Sequence, residues 1–374
     1  MPIAKAELIW MNGKQVPWDE ARVHVLTHAL HYGSSIFEGM RCYATRQGSA
    51  VFRMGDHYRR LVESCRVYRM EVPYSETELA AATLDLIRAN GFAACYVRPM
   101  VFRGYGEMGV NPLRNPLEVV IAVWEWGRYL GENALERGVD VCVSTWQRMA
   151  PNTFPARAKT AANYMNSQLI KMEALLNGFA EGIALDVDGY VCEGSGENVF
   201  VVKDGTLYTP PLSSPVLHGV TRDTVITLSR DSGLTVREEL IPRETLYIAD
   251  EIFFTGSASE ITPIASVDRI PVADGQPGPI TRRLQEAFFR TVRGEVEDRY
   301  GWLTQVPSRK RAGGVERTRG AAPGGNAART RKAARTGNAV RTRKAAPGGN
   351  AARTRNAART GNAVRTRNAA RAPR

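Results

Sequence analysis

The sequence lacks several features that would place it in a class at once. No apolar run approaches the ~18 residues that a membrane helix needs, and no signal peptide opens the chain. The five cysteines show no CxxC spacing, and the five histidines lack metal-ligand spacing. These absences argue against a membrane protein, a disulfide framework and a zinc site. We therefore expect reduced, buried thiols, no metal and a cytoplasmic location.

The composition allows two modest domains, because 374 residues with 43% hydrophobic content are enough for real cores. The net charge of +12 is unevenly distributed along the chain. Residues 308–374 hold 19 of the 50 basic residues and one of the 38 acidic residues, so the rest carries 31 basic against 37 acidic residues. The globular part is therefore expected to be mildly acidic.

The basic segment 308–374 is a low-complexity tail. Its residues 323–346 return as 347–370 with two lysines replaced by Asn356 and Asn368, a repeat of period 24. Apart from alanine, this repeat offers only valine for burial, which cannot offset a chain entropy of about 1 to 2 kcal/mol per residue. We expect a disordered tail that is dispensable for catalysis and binds nucleic acid at most nonspecifically through phosphate contacts.

Within the stretch 151–200, one lysine, Lys159, and one glutamate, Glu193, stand in local sequences that suit catalysis or ligand binding. Lys159 follows a proline-containing loop and precedes a helical run with apolar residues at about helical spacing. Further on, a strand-like segment reverses at Asp188-Gly189 and leads Glu193 into a glycine-rich run, where backbone can approach a ligand closely. Taken singly, each residue is most simply a surface charge or a loop acid.

The residues from Glu193 onward form a spaced pattern, and this pattern favours a functional role for Glu193 over a simple loop acid. The pattern consists of Glu193, Ser195, Asn198, Val199, Phe200, Leu207, Thr209, Leu217, Gly219, Val220 and Arg222. It resembles the signature of fold type IV pyridoxal-phosphate enzymes, and residues 5–306 look most similar to the branched-chain amino acid aminotransferases. The resemblance implies an α+β protein with a small mixed α/β domain at 1–126, a connection at 127–132 and a larger β-rich, cofactor-binding domain at 133–307.

The resemblance also implies how pyridoxal 5'-phosphate is held. Lys159 would bond to the cofactor and act as general base, while Glu193 would keep the ring nitrogen protonated. Arg60 is the arginine that matches the family's phosphate ligand, since its planar fork suits a dianion. The cofactor-binding residues implied are Arg60, Lys159, Tyr164, Glu193, Val220, Thr221 and Ser257.

The implied reaction is transamination of L-leucine, L-isoleucine and L-valine with 2-oxoglutarate. An aromatic wall would bury the apolar side chains, and Arg98, on one strand face with Tyr96, would pair with the distal carboxylate of 2-oxoglutarate. The substrate-binding residues implied are Tyr32, Phe37, Tyr96, Arg98, Val110, Trp126, Tyr129, Ser257 and Ala258. Tyr32 and Val110 would come from a neighbouring subunit, so the resemblance implies a homodimer at least, with a hexamer as the larger alternative.

Two other functions compete with this interpretation. Other fold type IV enzymes, including D-amino acid and amine transaminases, share the lysine and the glutamate, so fold alone does not choose among them. A nucleic-acid-binding protein that acts through the basic tail belongs to another class, and it leaves Lys159 and Glu193 unexplained. Relative rates on the three amino acids, biosynthetic or degradative direction, oligomeric number and the origin of the tail do not follow from the sequence.

Local patterns predict several boundaries. Asn12-Gly13 predicts a hairpin between two strand-like runs. Ser75, three residues before Glu78, predicts a capping box, and Gly91 is expected to end that helix. Asp56 is expected to cap the preceding helix.

Overall fold

The structure is a computed structural model, and it describes residues 3–127 and 129–308. The expectations for the basic tail, disorder and dispensability, concern residues 308–374 and lie outside the described residues except for Ser308. Within the described ranges, no helix is both long enough and apolar enough to cross a membrane.

The strands and helices of the described residues follow in chain order. The strands of the first part are β1 (Leu8–Met11), β2 (Lys14–Pro17), β3 (Ser35–Phe37), β4 (Met40–Thr45), β5 (Gly48–Phe52), β6 (Cys95–Arg103) and β7 (Leu117–Trp124). The later strands are β8 (Val139–Val143), β9 (Glu181–Leu185), β10 (Val191–Gly194), β11 (Asn198–Lys203), β12 (Thr206–Thr209), β13 (Val236–Glu238), β14 (Glu251–Gly256), β15 (Glu260–Val267), β16 (Ile270–Pro271) and β17 (Leu303–Gln305). The helices are α1 (His28–Tyr32), α2 (Met54–Val67), α3 (Glu76–Asn90), α4 (Ala134–Arg137), α5 (Asn163–Leu176), α6 (Val220–Asp231) and α7 (Pro279–Val292).

The first sheet is antiparallel and has eight strands. Its order is β17-β5-β4-β6-β7-β1-β2, with β3 paired to β6. Asn12 and Gly13 take φ angles of 49° and 87° between β1 and β2, so the predicted hairpin is confirmed. Helices α2 and α3 supply Tyr58, Leu61 and Leu86 to a core that they share with this sheet.

The second sheet has nine strands and closes on itself. Its order is β10-β9-β8-β15-β14-β11-β12-β13, and β10 also pairs with β11, so six of its strands form a ring. The pairing that closes the ring joins Glu193 to Asn198. Buried apolar side chains fill the sheet interior, among them Val141, Val199 and Phe254. The mixed helix and sheet architecture confirms the predicted α+β fold with a β-rich larger part.

Helix ends test the local predictions. Ser75 accepts a hydrogen bond from the Glu78 amide while the Glu78 carboxylate accepts one from the Ser75 amide, and Gly91 ends α3 with a φ of 72°. Both predictions are confirmed. Asp56 as a helix cap is wrong: α2 begins at Met54, because Arg53 adopts a left-handed φ of 50° and Asp56 instead pairs with it inside the first turn.

The predicted boundaries 1–126, 127–132 and 133–307 stay a prediction. One strand crosses the predicted division: β17, at 303–305, pairs with β5 of the first sheet. Trp302 packs beside it, with its ring 5.8 Å from Phe52 of β5. The chain therefore returns to the first sheet after completing the second.

Candidate active site

Glu193 lies where the ring of strands closes. Its Oε1 accepts a hydrogen bond of 2.6 Å from Arg148 Nη2, and its Oε2 accepts bonds from Asn198 Nδ2 at 3.1 Å and the Leu217 amide at 3.0 Å. Both the carboxylate and the guanidinium are almost fully buried. A carboxylate with donors on both of its oxygens is held in one orientation at the wall of the pocket.

The first sheet fixes the backbone around Lys159. The Phe37 amide donates to the Lys159 carbonyl at 3.1 Å, and the Ala161 amide donates to the Ser35 carbonyl at 2.8 Å. The Lys159 amide donates to Ser64 Oγ of α2 at 3.1 Å. The loop therefore behaves as an extra partner of β3, which explains how a lysine outside regular structure keeps a defined position.

The side chain of Lys159 projects into the pocket. Its Nζ donates a hydrogen bond of 2.6 Å to Tyr164 Oη, in the first turn of α5. The same nitrogen lies 5.1 Å from the ring of Phe37, and the Phe37 and Tyr164 rings meet edge to face at 4.8 Å. The amine is thus held between two aromatic rings and faces the cavity.

The start of α6 offers an anion site. No side chain in the described part of the chain caps this helix, which begins after Gly219, so its first amides lack side-chain acceptors. The positive end of the helix dipole and the Arg60 guanidinium face the same cavity. Gly219 is required for space, because a Cβ there would lie 1.9 Å from Asn198 Oδ1.

A group of aromatic side chains also lines the pocket. The rings of Tyr96 and Trp126 lie 4.5 Å apart, and those of Trp126 and Tyr129 lie 6.2 Å apart. Arg98 is inserted among the rings, with its Cζ 4.7 Å from the centre of Phe37. Apolar faces and one guanidinium therefore share this part of the cavity.

The turn after β14 completes the site. Ser257 and Ala258 line the pocket, and their carbonyls both accept hydrogen bonds from Arg41 of β4, at 3.0 and 3.1 Å. A trans peptide plane has its amide opposite its carbonyl, so holding the Ser257 carbonyl fixes the direction of the Ala258 amide. The first sheet therefore orients a turn of the second.

Most of the residues expected at the site line this one pocket. They are Phe37, Arg60, Tyr96, Arg98, Trp126, Tyr129, Lys159, Tyr164, Glu193, Val220, Thr221, Ser257 and Ala258. Tyr32 and Val110 do not line it within this chain, since their side chains are 44% and 86% exposed. The roles of all fifteen residues stay predictions.

The structure adds pocket residues that the sequence reasoning missed. Arg148 pairs with Glu193, and Thr255 presents a buried hydroxyl without a hydrogen-bond partner among the described residues. Glu197 also lines the pocket; burial, followed by the negative charge of Glu181, raises its pKa to about 8. Arg148 and Thr255 carry no motif of their own, whereas Glu197 stands in the glycine-rich run and could have been singled out there.

Comparison with known proteins defines the family. The family model for amino-transferase class IV matches residues 35–267, and the chain belongs to this family. Within it, the chain is similar to the branched-chain-amino-acid aminotransferase of Escherichia coli strain K12, with 52% identity over 307 residues that cover 82% of this chain and 99% of that protein.

Solved structures agree with this placement. The crystal structure of the Escherichia coli branched-chain amino acid aminotransferase superimposes with a TM-score of 0.80 at 52% identity, covering 81% of this chain and all of that one. The T.th. branched-chain amino acid aminotransferase complexed with N-(5'-phosphopyridoxyl)-L-glutamate gives a TM-score of 0.78 at 45% identity, covering 81% of this chain and 99% of that one. The predicted fold type IV architecture is confirmed.

Proposed function

We propose that this protein uses pyridoxal 5'-phosphate to exchange the amino group of L-leucine, L-isoleucine or L-valine with 2-oxoglutarate. The observation that carries the proposal is a single pocket containing the Lys159 amine, the Glu193 carboxylate and the anion site at the start of α6. A molecule with an aldehyde, a basic ring nitrogen and a phosphate has one group for each of them.

The residues present fit this cofactor. The amides of Val220 and Thr221, the Arg60 guanidinium and the Ser257 hydroxyl would hold the phosphate. Thr255, whose hydroxyl has no hydrogen-bond partner among the described residues, lines the same cavity. Glu193 would hold the ring nitrogen.

The cofactor, when bound, supplies an aldehyde that receives the amino group and a protonated ring that stabilises negative charge at the substrate α-carbon. Lys159 Nζ would hold the cofactor aldehyde, give it up to the incoming amino group of the substrate, and serve as the base that takes the proton from the substrate α-carbon. Tyr164 Oη, which accepts a hydrogen bond of 2.6 Å from Nζ, would help to orient the amine for these roles. Glu193 would face the ring nitrogen in a fixed orientation, because Arg148, the Asn198 side chain and the Leu217 amide hold its two oxygens.

The substrate end of the pocket suits both partners of the exchange. The rings of Phe37, Tyr96, Trp126 and Tyr129 would bury a branched side chain, at about 25 cal/mol per Å² of apolar area. Arg98 would pair with the second carboxylate of 2-oxoglutarate, and the Ser257 and Ala258 amides would hold the α-carboxylate. The names of the relatives support the branched-chain substrates, and the phosphopyridoxyl-L-glutamate complex supports a dicarboxylate in the same fold.

The test is a visible spectrum of the purified full-length protein. We expect an absorption band from bound cofactor that disappears on adding L-leucine and returns on adding 2-oxoglutarate. D-leucine should leave the band unchanged. A protein that shows no cofactor band, or that responds to D-leucine alone, would contradict the proposed activity.

We also propose a homo-oligomer, a dimer at least with a hexamer as the larger alternative, in which Tyr32 and Val110 face the pocket of a neighbouring copy. Exposed apolar side chains cluster in sequence around these residues, including Val25, Leu30 and Leu113. Sedimentation of the holoenzyme tests the assembly, and a monomer would contradict it.

We further propose a cytoplasmic location. The five cysteines are free and buried, which is consistent with a reducing compartment.

A further inference from the structure

A carboxylate buried behind the pocket has no role in the site described so far. Glu38 stands between β3 and β4 and its side chain is fully buried. Arg60 donates to it through Nε and Nη2, both at 2.7 Å, and His57 Nδ1 lies 2.7 Å from its Oε2. A buried charge needs such partners, and both of them come from α2.

The carboxylate is ionised in this setting. Burial alone would raise the pKa of Glu38, but the Arg60 charge and the hydrogen bonds from His57 and Arg60 hold that pKa well below its usual range. His57 is buried too, and burial lowers its pKa despite the nearby Glu38. The group is therefore a neutral imidazole beside a carboxylate and a guanidinium of opposite charge.

These hydrogen bonds determine which N–H groups of Arg60 remain available to another ligand. A guanidinium has five N–H groups, one on Nε and two on each terminal nitrogen. Glu38 takes the Nε group and one Nη2 group, and the His218 carbonyl takes one Nη1 group at 2.7 Å. One N–H remains on Nη1 and one on Nη2, and these two donors can bind phosphate oxygens.

We propose that Glu38 is a positioning residue that orients the Arg60 guanidinium toward the phosphate of pyridoxal phosphate. This inference rests on the proposed function, because it assumes that the phosphate lies at the start of α6. The Arg60 side chain is long and flexible. A guanidinium that is already held by two hydrogen bonds loses less conformational entropy when the phosphate binds. His57 supports Glu38 through its hydrogen bond to Oε2.

The direction in which cofactor affinity changes when Glu38 is replaced distinguishes a positioning role from a purely electrostatic one. Glu38 lowers the net positive charge around Arg60, so by charge alone its removal would tighten phosphate binding. If positioning dominates, its removal weakens binding, because the guanidinium loses its fixed orientation. Glu38→Gln keeps the size of the side chain and removes the charge and the bidentate acceptor.

The experiment measures the dissociation constant of the cofactor by absorbance, starting from the full-length holoenzyme stripped and reloaded. We expect Glu38→Gln to weaken pyridoxal 5'-phosphate about tenfold or more, the effect of losing one charge-assisted hydrogen bond. Pyridoxal, which lacks the phosphate, should bind both proteins equally. Glu251→Gln is the matched control: this buried carboxylate caps α7 away from the pocket, so its loss should lower stability but not cofactor affinity.

A double-mutant cycle tests whether Glu38 influences cofactor binding through Arg60. If Glu38 acts through Arg60, adding Glu38→Gln to Arg60→Ala should not weaken cofactor binding further. Additive losses, equal losses for pyridoxal and its phosphate, or tighter binding by Glu38→Gln would each overturn the inference.

Glu38→Asp provides the same test if Glu38→Gln does not fold. Its shorter carboxylate should give a smaller loss, again confined to the phosphorylated form, and unchanged affinity would overturn the inference. A wild-type protein that binds no pyridoxal phosphate would instead contradict the proposed function itself.

Discussion

Replacing Arg98 with methionine should separate the two halves of the proposed reaction. Arg98 lies on β6 with its Cζ 4.7 Å from the Phe37 ring, 5.4 Å from Tyr96 and 5.7 Å from Trp124. Its Nε is buried and meets no hydrogen-bond acceptor in the part of the chain that the structure describes. The guanidinium is thus stabilised by aromatic faces and is available to a carboxylate of the substrate.

The magnitude follows from the kind of interaction that the substitution removes. A hydrogen-bonded charge pair in a partly desolvated pocket contributes about 2 to 3 kcal/mol, so the half-reaction with 2-oxoglutarate should slow roughly 30- to 150-fold in kcat/KM. The half-reaction with L-leucine should change less than about threefold, because methionine keeps much of the apolar volume and leucine has no second carboxylate.

Single-turnover mixing of the loaded enzyme with each substrate measures both effects from the cofactor absorbance. 2-Oxohexanoate, which lacks the distal carboxylate, is the substrate control and should react equally with both proteins. Equal losses in the two half-reactions, or an equal loss with 2-oxohexanoate, would refute the pairing and leave Arg98 as a structural residue of the aromatic wall.

Three further predictions test other parts of the site. Lys159→Ala should abolish transamination and keep the circular dichroism spectrum; borohydride-trapped cofactor with near-normal turnover would contradict this. Gly219→Ala should weaken cofactor binding about tenfold by pushing the Asn198 side chain aside, whereas Gly55→Ala, which enters open space, should not; equal titrations would refute the steric argument. The pKa of Glu197 is raised from 4.5 to about 8, so between these pH values the folded apoprotein keeps a proton on Glu197 that the unfolded chain has lost. The free energy of unfolding should therefore fall as the pH rises through this range. Glu197→Gln should flatten this dependence in urea unfolding, and an unchanged slope would count against it.

The sequence predicted local structure where neighbouring residues decide it. The hairpin at Asn12 and Gly13 follows from two residues that tolerate positive φ, and the capping box at Ser75 follows from groups three residues apart. The start of α2 was misplaced because Arg53 holds a left-handed conformation that its own type does not favour. Its guanidinium bonds to Asp223, 170 residues away.

The candidate site was predictable in part for a related reason. Glu193 stands in a spaced pattern, and the resemblance that this pattern carries pointed to Glu193 and Lys159 as site residues without coordinates. Arg148 and Glu38 carry no such pattern, because their importance depends on partners 45 and 22 residues away. A buried ion pair becomes visible only when the fold brings its two members together.

The two proposed cofactor anchors, Lys159 and Glu193, are held by different sheets, and this arrangement has a mechanical consequence. Lys159 takes its position from hydrogen bonds to β3 and to Ser64 of α2, whereas Glu193 takes its position from the closure of the second sheet. The distance between the amine and the carboxylate therefore depends on how the two sheets meet. Arg41 adds a third link, from β4 to the Ser257 and Ala258 carbonyls. Substitutions in the first sheet that leave every pocket side chain intact can thus misalign the cofactor, and their effect on turnover should exceed their effect on stability.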